Sequence, residues 1–337
     1  LAAALLVTAG MSQIALAGDS VYVNTSSLRY RTSAQIKDNN IAGNLSYGQK
    51  LERVGTSGQW TMILLNGKKY YVSSAYVTSK KPASAGAVQT TSQTAAGAQT
   101  SGGTAIALSS NYKYANYSKI NSGTATLYRS TASNKKNKVV CVNAGHGTNG
   151  GGSVKTQCHP DGSAKVTGGT TGAGATSAVA VSSGMTFADG TAESKVTLAM
   201  AKVLKTKLLN AGYDVLMIRE SDDVQLDNIA RTVIANNNAD CHIALHWDST
   251  SSNKGAFFMS VPSNATYRAM EPVASHWKQH NQLGESLISG LKSAGVKIYS
   301  KGSMEMDLTQ TSYSTIPSVD IELGDKASDH SGATLET

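Results

Sequence analysis

The pattern of apolar and polar positions changes at about residue 138. Before this point, short runs of strand-favouring residues are separated by Asn, Gly and Ser turns. After it, apolar runs alternate with segments in which apolar residues recur at helical spacing. The first pattern predicts a small all-β module, and the second predicts a mostly parallel open sheet with helices on both faces. We therefore expect an α/β domain that is preceded by a small all-β barrel.

The β-rich segment spans residues 19–80 and contains five strand-like runs. Asn66-Gly67 separates the last two runs and is a strong signal for a hairpin turn. Five short strands in a segment of this length suit a small barrel. The runs cover residues 21–23, 28–31, 49–54, 60–64 and 69–72.

The second pattern covers residues 137–337 and predicts the larger domain. Its clearest helix runs over residues 193–210, where apolar residues form a stripe before Gly212. The chain stops at Thr337, and we expect this domain to be truncated there, inside its last helix. Strands are predicted at residues 139–142, 213–218, 241–246, 255–261 and 318–321, and further helices at 228–235 and 283–293.

The segment between the two patterns, residues 81–136, is assigned to a linker. Its first part, residues 81–110, consists largely of Ala, Gly, Ser, Thr and Gln. Such a composition cannot bury enough apolar surface to offset the entropy of ordering, so we expect a flexible tether. Tyr112, Tyr114 and Tyr117 bring aromatic residues back and can pack on the following domain, although the pattern does not place them.

The first 17 residues form an apolar stretch that ends in Ala15-Leu16-Ala17. This pattern predicts an export signal that is cut after Ala17, present only in part because Met and a basic start are missing. The alternative is a membrane anchor, which needs about 20 apolar residues, but Ser12-Gln13 interrupts the run. We expect an exported protein without stable membrane insertion after cleavage.

Charge is distributed unevenly along the chain. Residues 19–80 carry 8 Lys and Arg against 3 acids, residues 81–136 carry 6 against none, and residues 137–337 carry 16 against 19. A basic front half suggests attachment to an anionic surface, with the chemistry in the second half. Because no basic helix or aromatic RNA-binding motif is present, nucleic acid is not expected as a partner.

The three cysteines, Cys141, Cys158 and Cys241, are few and odd in number. Such a count argues against a disulfide framework. We expect buried thiols.

Four polar residues interrupt the apolar pattern of the second half. His146 and Glu322 follow predicted strands, His246 ends another, and Glu193 opens the long helix. Because the carboxyl ends of parallel strands meet at one rim of an open sheet, we expect these side chains to converge. Two imidazoles and a carboxylate can hold Zn²⁺ with a position open for water, and a second carboxylate can serve as base. The sequence therefore predicts metal-assisted hydrolysis.

Other roles remain open for two of these residues. Glu193 can serve only to complement the dipole of its helix. Glu322 lies in an apolar strand end, where burial raises a carboxyl pKa towards that of a general base; the alternative is an ion pair with an arginine such as Arg219. His242 cannot share a metal with His246 if both lie in one strand, because roughly 13 Å would separate them.

The sequence contains two other candidate metal sets, and it bears on one other type of chemistry. His276 and His280 are four residues apart on a predicted helix, but the interior Glu of the zincin motif is missing. Cys158-His159 lies in a Gly-rich segment and is a candidate for a secondary site. A serine nucleophile is not indicated, since no Gly-x-Ser-x-Gly elbow follows a predicted strand.

The front half resembles the bacterial SH3-like domain. The resemblance rests on Leu28-Arg29-Tyr30-Arg31, Gly58-Gln59-Trp60 and residues 69–77. Since that family commonly binds cell-wall peptide or polymer, the resemblance implies peptidoglycan, and anionic wall polymers, as binding surfaces for residues 19–80.

The second half, over residues 138–330, resembles the zinc-dependent N-acetylmuramoyl-L-alanine amidases of the Amidase_3 type. The resemblance implies one Zn²⁺ held by His146, Glu193 and His246, with Glu322 as the catalytic residue. The motifs that carry it are residues 142–147, Glu193, Gly212-Tyr213-Asp214-Val215 with Arg219, Arg231 with Ala235-Asn236, Leu245-His246, and residues 317–324.

Two features depart from that family's pattern. Trp247-Asp248 follows the second His, where the family usually has Asn. Glu193 lies 47 residues after His146, beyond a long insertion rich in Gly, Thr and Ser (residues 148–189). A loop of this length is uncommon unless it is functional. We expect it to serve as a lid or as a substrate-selecting wall.

Together these features predict a secreted, cell-wall-associated enzyme. Its expected reaction cleaves the amide bond between the lactyl group of N-acetylmuramic acid and L-alanine of the stem peptide, with peptidoglycan as both substrate and binding surface. Two alternatives remain: a zinc peptidase acting on cell-wall peptides, and a non-catalytic peptidoglycan-binding protein.

Overall fold

The computed structural model describes residues 19–24, 27–35, 40–46, 48–81 and 102–336. The predicted export signal at residues 1–17 and residues 82–101 of the predicted tether lie outside the described residues. The chain divides into two compact units, residues 1–95 and 96–337, and each is described by itself.

The first unit contains one antiparallel sheet of seven strands in the order β3-β2-β6-β5-β4-β1-β7. Alternate side chains of these strands point inward and form its apolar core, which includes Val21, Leu45 and Ile63. All five predicted runs lie in strands. The strands are β1 (Asp19–Val23), β2 (Ser27–Arg31), β3 (Ile41–Ser46), β4 (Lys50–Ser57), β5 (Trp60–Leu65), β6 (Lys68–Ser73) and β7 (Val77–Thr78).

The small barrel expected for this unit is not confirmed, because the sheet is not closed in the described residues. β3 and β7 lie at the two ends of the sheet and do not pair with each other. Neither strand was predicted. In β3, Gly43 lies opposite Tyr30, and a Cβ at Gly43 would come within 2.7 Å of the Tyr30 ring. The Tyr30 ring thus packs over Gly43. A glycine weakens the interior of a strand, and for this reason the sequence did not predict β3.

The second unit is built around an eight-stranded sheet in the order β16-β15-β17-β14-β10-β13-β9-β8. Its strands are β8 (Thr104–Ala107), β9 (Thr124–Tyr128), β10 (Val139–Ala144), β13 (Asp214–Met217), β14 (Cys241–Asp248), β15 (Ala256–Ser260), β16 (Ile298–Glu305) and β17 (Ser318–Asp325). Two further strands, β11 (Lys155–Gln157) and β12 (Ser177–Val179), form a separate antiparallel pair. The helices are α1 (Glu193–Asn210), α2 (Asn228–Asn238), α3 (Ala265–Ala269), α4 (Val273–Ser293), α5 (Thr309–Tyr313) and α6 (Gly332–Glu336).

The eight-stranded sheet is mixed, whereas a mostly parallel sheet was expected. Its four central strands, β17, β14, β10 and β13, are parallel to one another. On either side the direction reverses, because β15 is antiparallel to β17 and β9 is antiparallel to β13. The parallel centre places the ends of β10, β14 and β17 at one rim, as the expected convergence of polar residues requires.

Helices cover both faces of this sheet, as predicted. Val140 and Val142 of β10 pack in one apolar cluster with α1 and α4 residues, whereas Cys141 packs with α2 residues on the other side. Cys241 lies opposite Val140 in the neighbouring strand, so its thiol shares that face and not the face of Cys141. All three cysteines are free thiols, and none of the described helices is long and apolar enough to span a bilayer.

Part of the stretch assigned to the linker contributes to the second unit. β8 and β9 extend its sheet beyond β13. Asp227, which caps α2, also accepts hydrogen bonds from Ser118 Oγ at 3.0 Å and from the amides of Lys119 and Ile120 at 2.6 and 2.9 Å. A single buried carboxylate therefore anchors the chain between β8 and β9 to α2.

Two buried histidines on or beside β14 make the fold sensitive to acid. His242 is fully buried, and neither of its ring nitrogens has a hydrogen-bond partner among the described residues. Burial, followed by the charge of Arg231, lowers the pKa of His242 to about 3. Burial also lowers the pKa of His280 to about 3. Below an unfolded-state pKa of about 6.5, the unfolded chain takes up protons that the folded chain does not, so stability falls as the pH drops.

Replacing His242 by Leu is expected to raise the free energy of unfolding and to remove part of this pH dependence. Between pH 7.5 and pH 5, the parent should lose about 2 kcal/mol more stability than His242→Leu, because that is the cost of keeping one such imidazole neutral. Urea unfolding of both proteins at the two pH values measures this difference. Equal losses in the two proteins would show that His242 is protonated in the folded state.

Candidate metal centre

The turn that presents His146 follows directly after β10. His146 and Gly147 both have positive φ, of 64° and 71°. Gly145 lets the turn approach β14 closely, because a Cβ there would lie 2.2 Å from Cε1 of His246. The sharp change of direction turns the His146 side chain towards the rim of the sheet.

Two buried arginines hold this turn by its carbonyl groups. Arg219 donates to the carbonyls of Ala144 and Gly145 at 3.1 and 2.8 Å, and Arg231 donates to that of His146 at 2.7 Å. The alternative reading of Arg219 as the ion-pair partner of Glu322 is therefore not what the structure shows. The guanidinium groups serve as supports for the backbone around His146.

His146, Glu193 and His246 meet at the rim. Nε2 of His146 lies 2.9 Å from Oε1 of Glu193, and Nδ1 of His246 lies 3.0 Å from Nε2 of His146 and 3.2 Å from Oε1 of Glu193. His246 comes from β14, and Glu193 is the first residue of α1. The structure thus brings together the three residues that the sequence singled out as ligands.

This donor set fits a zinc ion. Zn²⁺ binds His nitrogen and carboxylate oxygen at about 2.0–2.2 Å with tetrahedral geometry, so its ligand atoms lie roughly 3.3 Å apart. The three facing atoms are spaced close to that value, and three protein ligands leave a fourth position for water or substrate. Within the described parts of the chain, no other set of three His, Cys, Asp or Glu side chains is arranged to hold a metal.

The end of the insertion supports two of the three ligands. The carbonyl of Ser182 lies 2.8 Å from Nδ1 of His146, which leaves Nε2 of that ring to face the centre. The amide of Met185 donates to Oε2 of Glu193 at 2.9 Å, and the amide of Trp247 donates to Oε1 at 3.0 Å. Such outer contacts fix the orientation of ligands and contribute to metal affinity. Sequence reasoning missed them because they are made by backbone atoms.

Gly184 lies between these two supports, and we predict that it tolerates no side chain. Its φ is +83°, and a Cβ would lie 2.8 Å from Oε2 of Glu193 and from Cδ2 of His146. Gly184→Ala should weaken zinc binding about 10- to 100-fold, as measured by competition with a chromophoric chelator. Gly190 is a matched control: its φ is +87°, but an added Cβ would meet no atom within 4 Å. An equal loss in Gly190→Ala would assign the effect to backbone strain alone.

The charged groups at the candidate centre shift one another's pKa values. Burial opposes a charge on His246, but the carboxylates of Asp320 and Glu193 outweigh it and raise the pKa of His246 to about 10. Burial lowers the pKa of His146. Burial also disfavours the Glu193 carboxylate, yet hydrogen bonds from the two imidazoles hold its pKa well below the usual range.

Glu322 lies beside this cluster. It is the neighbour of His246 across the β14–β17 pair. Its side chain is buried, and Oε2 has no hydrogen-bond partner among the described residues. Burial, followed by repulsion from Asp320, raises the pKa of Glu322 well above its usual value. A carboxylate in this state is suited to take up and release a proton.

Asp320 is the site residue that sequence reasoning missed. Its Oδ2 lies 3.6 Å from Nε2 of His246, and burial raises its pKa. Its position two residues before Glu322 in a strand was the available signal, because residues i and i+2 of a strand share a face.

A cleft of about 520 Å³ is lined by all five of these residues, His146, Glu193, His246, Asp320 and Glu322. One wall comes from the insertion, through Thr170, Thr171 and Val179. Another part is lined by methionines from several segments, namely Met185, Met259, Met304 and Met306. The insertion, expected to be a lid or a wall, thus forms part of the cleft that leads to the candidate metal centre.

The insertion is anchored by a buried carboxylate beyond β16. Asp307 accepts hydrogen bonds from Nε2 of His159 at 3.0 Å, from Nζ of Lys165 at 2.9 Å, and from the amides of Val166 and Thr167 at 2.7 and 3.0 Å. These bonds hold the pKa of Asp307 below its usual range, although burial opposes this. His159, a candidate ligand in the sequence, is thereby used as a structural residue.

The other rival site is also used within the fold. His276 and His280 stack with ring centroids 6.2 Å apart. Nδ1 of His276 contacts the carbonyl of Pro272, and Nδ1 of His280 accepts from the amide of Ser318. Within the described structure, no third His, Cys, Asp or Glu joins this pair to form a set of three ligands.

Two histidines and a carboxylate at the rim of an α/β sheet are a donor set typical of metal-dependent hydrolases. The comparisons with known proteins identify the family. The sequence profile described as "Amidase_3: N-acetylmuramoyl-L-alanine amidase" matches residues 140–335. The chain therefore belongs to the N-acetylmuramoyl-L-alanine amidase family of the Amidase_3 type. No curated protein matches the chain.

Solved structures of such amidases are similar to part of the chain. The amidase Ami1 from Mycobacterium smegmatis is 17% identical, with 60% of this chain and 88% of that chain covered and a TM-score of 0.46. Ami1 from Mycobacterium abscessus is 21% identical, with coverage of 60% and 90% and a TM-score of 0.41. The catalytic domain of the amidase CwlV from Bacillus (Paenibacillus) polymyxa var. colistinus is 20% identical, with coverage of 59% and 87% and a TM-score of 0.36.

Proposed function

We propose that the second unit is a zinc-dependent amidase that cleaves the bond between the lactyl group of N-acetylmuramic acid and L-alanine of the stem peptide. The observation that carries this proposal is the convergence of His146, Glu193 and His246 beside the buried Glu322. Family membership supplies the substrate class, peptidoglycan. The ligand set and the role of Glu322 follow from the chemistry of the side chains.

The proposed roles divide between binding and proton transfer. His146, Glu193 and His246 would hold one Zn²⁺, which supplies a Lewis acid that polarises the amide carbonyl and makes water more acidic. Glu322 accepts a proton from the attacking water and returns it to the leaving nitrogen of L-alanine. Water oxygen is thereby added to the lactyl carbonyl carbon and the carbon–nitrogen bond breaks, so the products are a lactyl carboxylate and a free amine.

The first unit is proposed as a wall-binding module of an exported protein. Its antiparallel sheet and the excess of basic residues in segment 19–80 suit an extended anionic surface. A binding module joined by a tether would raise the local concentration of the catalytic unit on an insoluble substrate. Pull-down with purified cell walls by the chain with and without residues 19–80 tests this part.

Digestion of purified peptidoglycan, followed by mass spectrometry of the soluble products, tests the reaction. Free stem peptides with an L-alanine amino terminus should be released, abolished by a chelator and restored by Zn²⁺. Muropeptides with shortened stems would instead identify a zinc peptidase. Wall binding without any released product would identify a non-catalytic binding protein.

A further inference from the structure

The two ring nitrogens of His246 face different groups. Nδ1 faces His146 and Glu193, the other members of the candidate metal centre. Nε2 faces the carboxylate of Asp320, whose Oδ2 is 3.6 Å away. If Nδ1 binds a metal, the proton of the neutral ring is on Nε2, the nitrogen that faces Asp320. The two atoms are at ion-pair distance, and a small side-chain movement would bring them within hydrogen-bond distance.

Asp320 is partly buried, and no contact other than the one with His246 accounts for a charged side chain at this position. Its side chain is 15% exposed, and Oδ1 is shielded from solvent without a hydrogen-bond partner among the described residues. No Lys or Arg in the described structure forms an ion pair with it, and His246 is its single ion-pair partner there. Because shielding a carboxylate oxygen from solvent is costly unless the group is paired or used, the position of Asp320 beside His246 calls for a function.

The outer contact of His146 provides a comparison within the same centre. Its Nδ1 faces the carbonyl of Ser182 at 2.8 Å. A neutral carbonyl fixes which nitrogen carries the proton. A carboxylate does the same and in addition raises the basicity of the ligand nitrogen, so it strengthens the bond to the metal.

We propose that Asp320 is a positioning residue for the metal centre, which accepts the Nε2–H of His246 and strengthens metal binding by Nδ1. The inference rests on the zinc centre of the proposed function. It adds a residue whose effect is exerted through His246 and not through contact with the substrate.

The test measures zinc affinity, independently of turnover, by competition with a chromophoric chelator. Asp320→Leu should bind zinc 10- to 100-fold more weakly than the parent, the range found for outer-shell partners. Asp320→Asn keeps the shape and a carbonyl acceptor but removes the charge, so its affinity should lie between those of parent and Asp320→Leu.

Asp248→Asn is the matched control. Asp248 lines the same cleft, and its Oδ2 is bonded to Nζ of Lys254 and to Oγ1 of Thr250, not to a candidate ligand. Asp248→Asn removes the same charge as Asp320→Asn. If the contact of Asp320 with His246 is responsible for the effect, and not the summed charge of the cleft, zinc affinity in Asp248→Asn should change less than about threefold.

Three results would overturn the inference. Unchanged affinity in both Asp320 variants would exclude a role for this carboxylate. An equal loss in Asp248→Asn would assign the effect to the overall charge of the cleft. If the parent itself bound no zinc, or if His146→Ala bound it equally well, the zinc centre would fail and this role with it. The parent and His146→Ala titrations therefore separate failure of the proposed function from failure of this inference.

Discussion

Glu322→Gln is expected to slow amide hydrolysis by roughly 10²- to 10⁴-fold, the usual contribution of a general acid–base group. Gln has nearly the same shape but cannot accept a proton from water. Because Glu322 is not among the three converging ligand residues, zinc stoichiometry should stay at one ion per chain. The measurement combines the rate of stem-peptide release with zinc content after dialysis.

The control for this variant is a carboxylate far from the chemistry. Glu285 is exposed on α4, so Glu285→Gln should hydrolyse peptidoglycan at the parental rate. A Glu322→Gln enzyme that keeps zinc and full activity would show that another group transfers the proton. Loss of both zinc and activity would instead assign Glu322 to metal binding.

Asp307→Ala is expected to lower the free energy of unfolding of the second unit by about 3–5 kcal/mol, the cost of breaking a buried charge pair from one side. The carboxylate is fully buried, and its removal takes the acceptor from Nε2 of His159 and from two backbone amides of the insertion. Lys165 loses its charged partner and keeps only the backbone carbonyl of residue 307 as acceptor. Urea denaturation measures the loss. Limited proteolysis should locate new cleavage sites within residues 148–189.

Asp240→Ala provides the comparison. Its side chain is 41% exposed and pairs with Lys138 at the surface, so the loss of stability should be much smaller. If the two variants lost equal stability, the network around Asp307 would contribute no more than a surface ion pair. In that case the insertion would be held chiefly by its apolar contacts.

The centre of the sheet and the candidate ligands could be predicted because both depend on strong periodic signals. Runs such as Val139–Val142 are apolar on both faces, which is typical of a parallel strand covered by helices. A histidine or carboxylate at the end of such a run stands out because it interrupts an otherwise apolar pattern, and it can therefore be recognised as a candidate ligand. Asp320 was within reach of the same argument, since a strand repeats its facing every second residue.

The edges of the sheet were not predictable in this way. β16 contains Lys301, Gly302 and Ser303, and β8 is largely exposed, so neither strand has the apolar signature of a core strand. These strands are stabilised by their neighbours rather than by their own residues. The contacts of Ser182 and Met185 with the ligands left no trace in the sequence, because any residue can supply a carbonyl or an amide.

The insertion places two backbone groups against candidate metal ligands, and if these ligands hold zinc, the folding of the insertion and metal occupancy are reciprocal. If an ordered segment around Ser182 and Met185 strengthens zinc binding, zinc must stabilise that ordered segment by the same free energy. The cleft wall and the ion then form one cooperative unit. If the candidate centre holds zinc, loss of the ion would also loosen this wall of the cleft, so zinc supply would control substrate binding as well as chemistry.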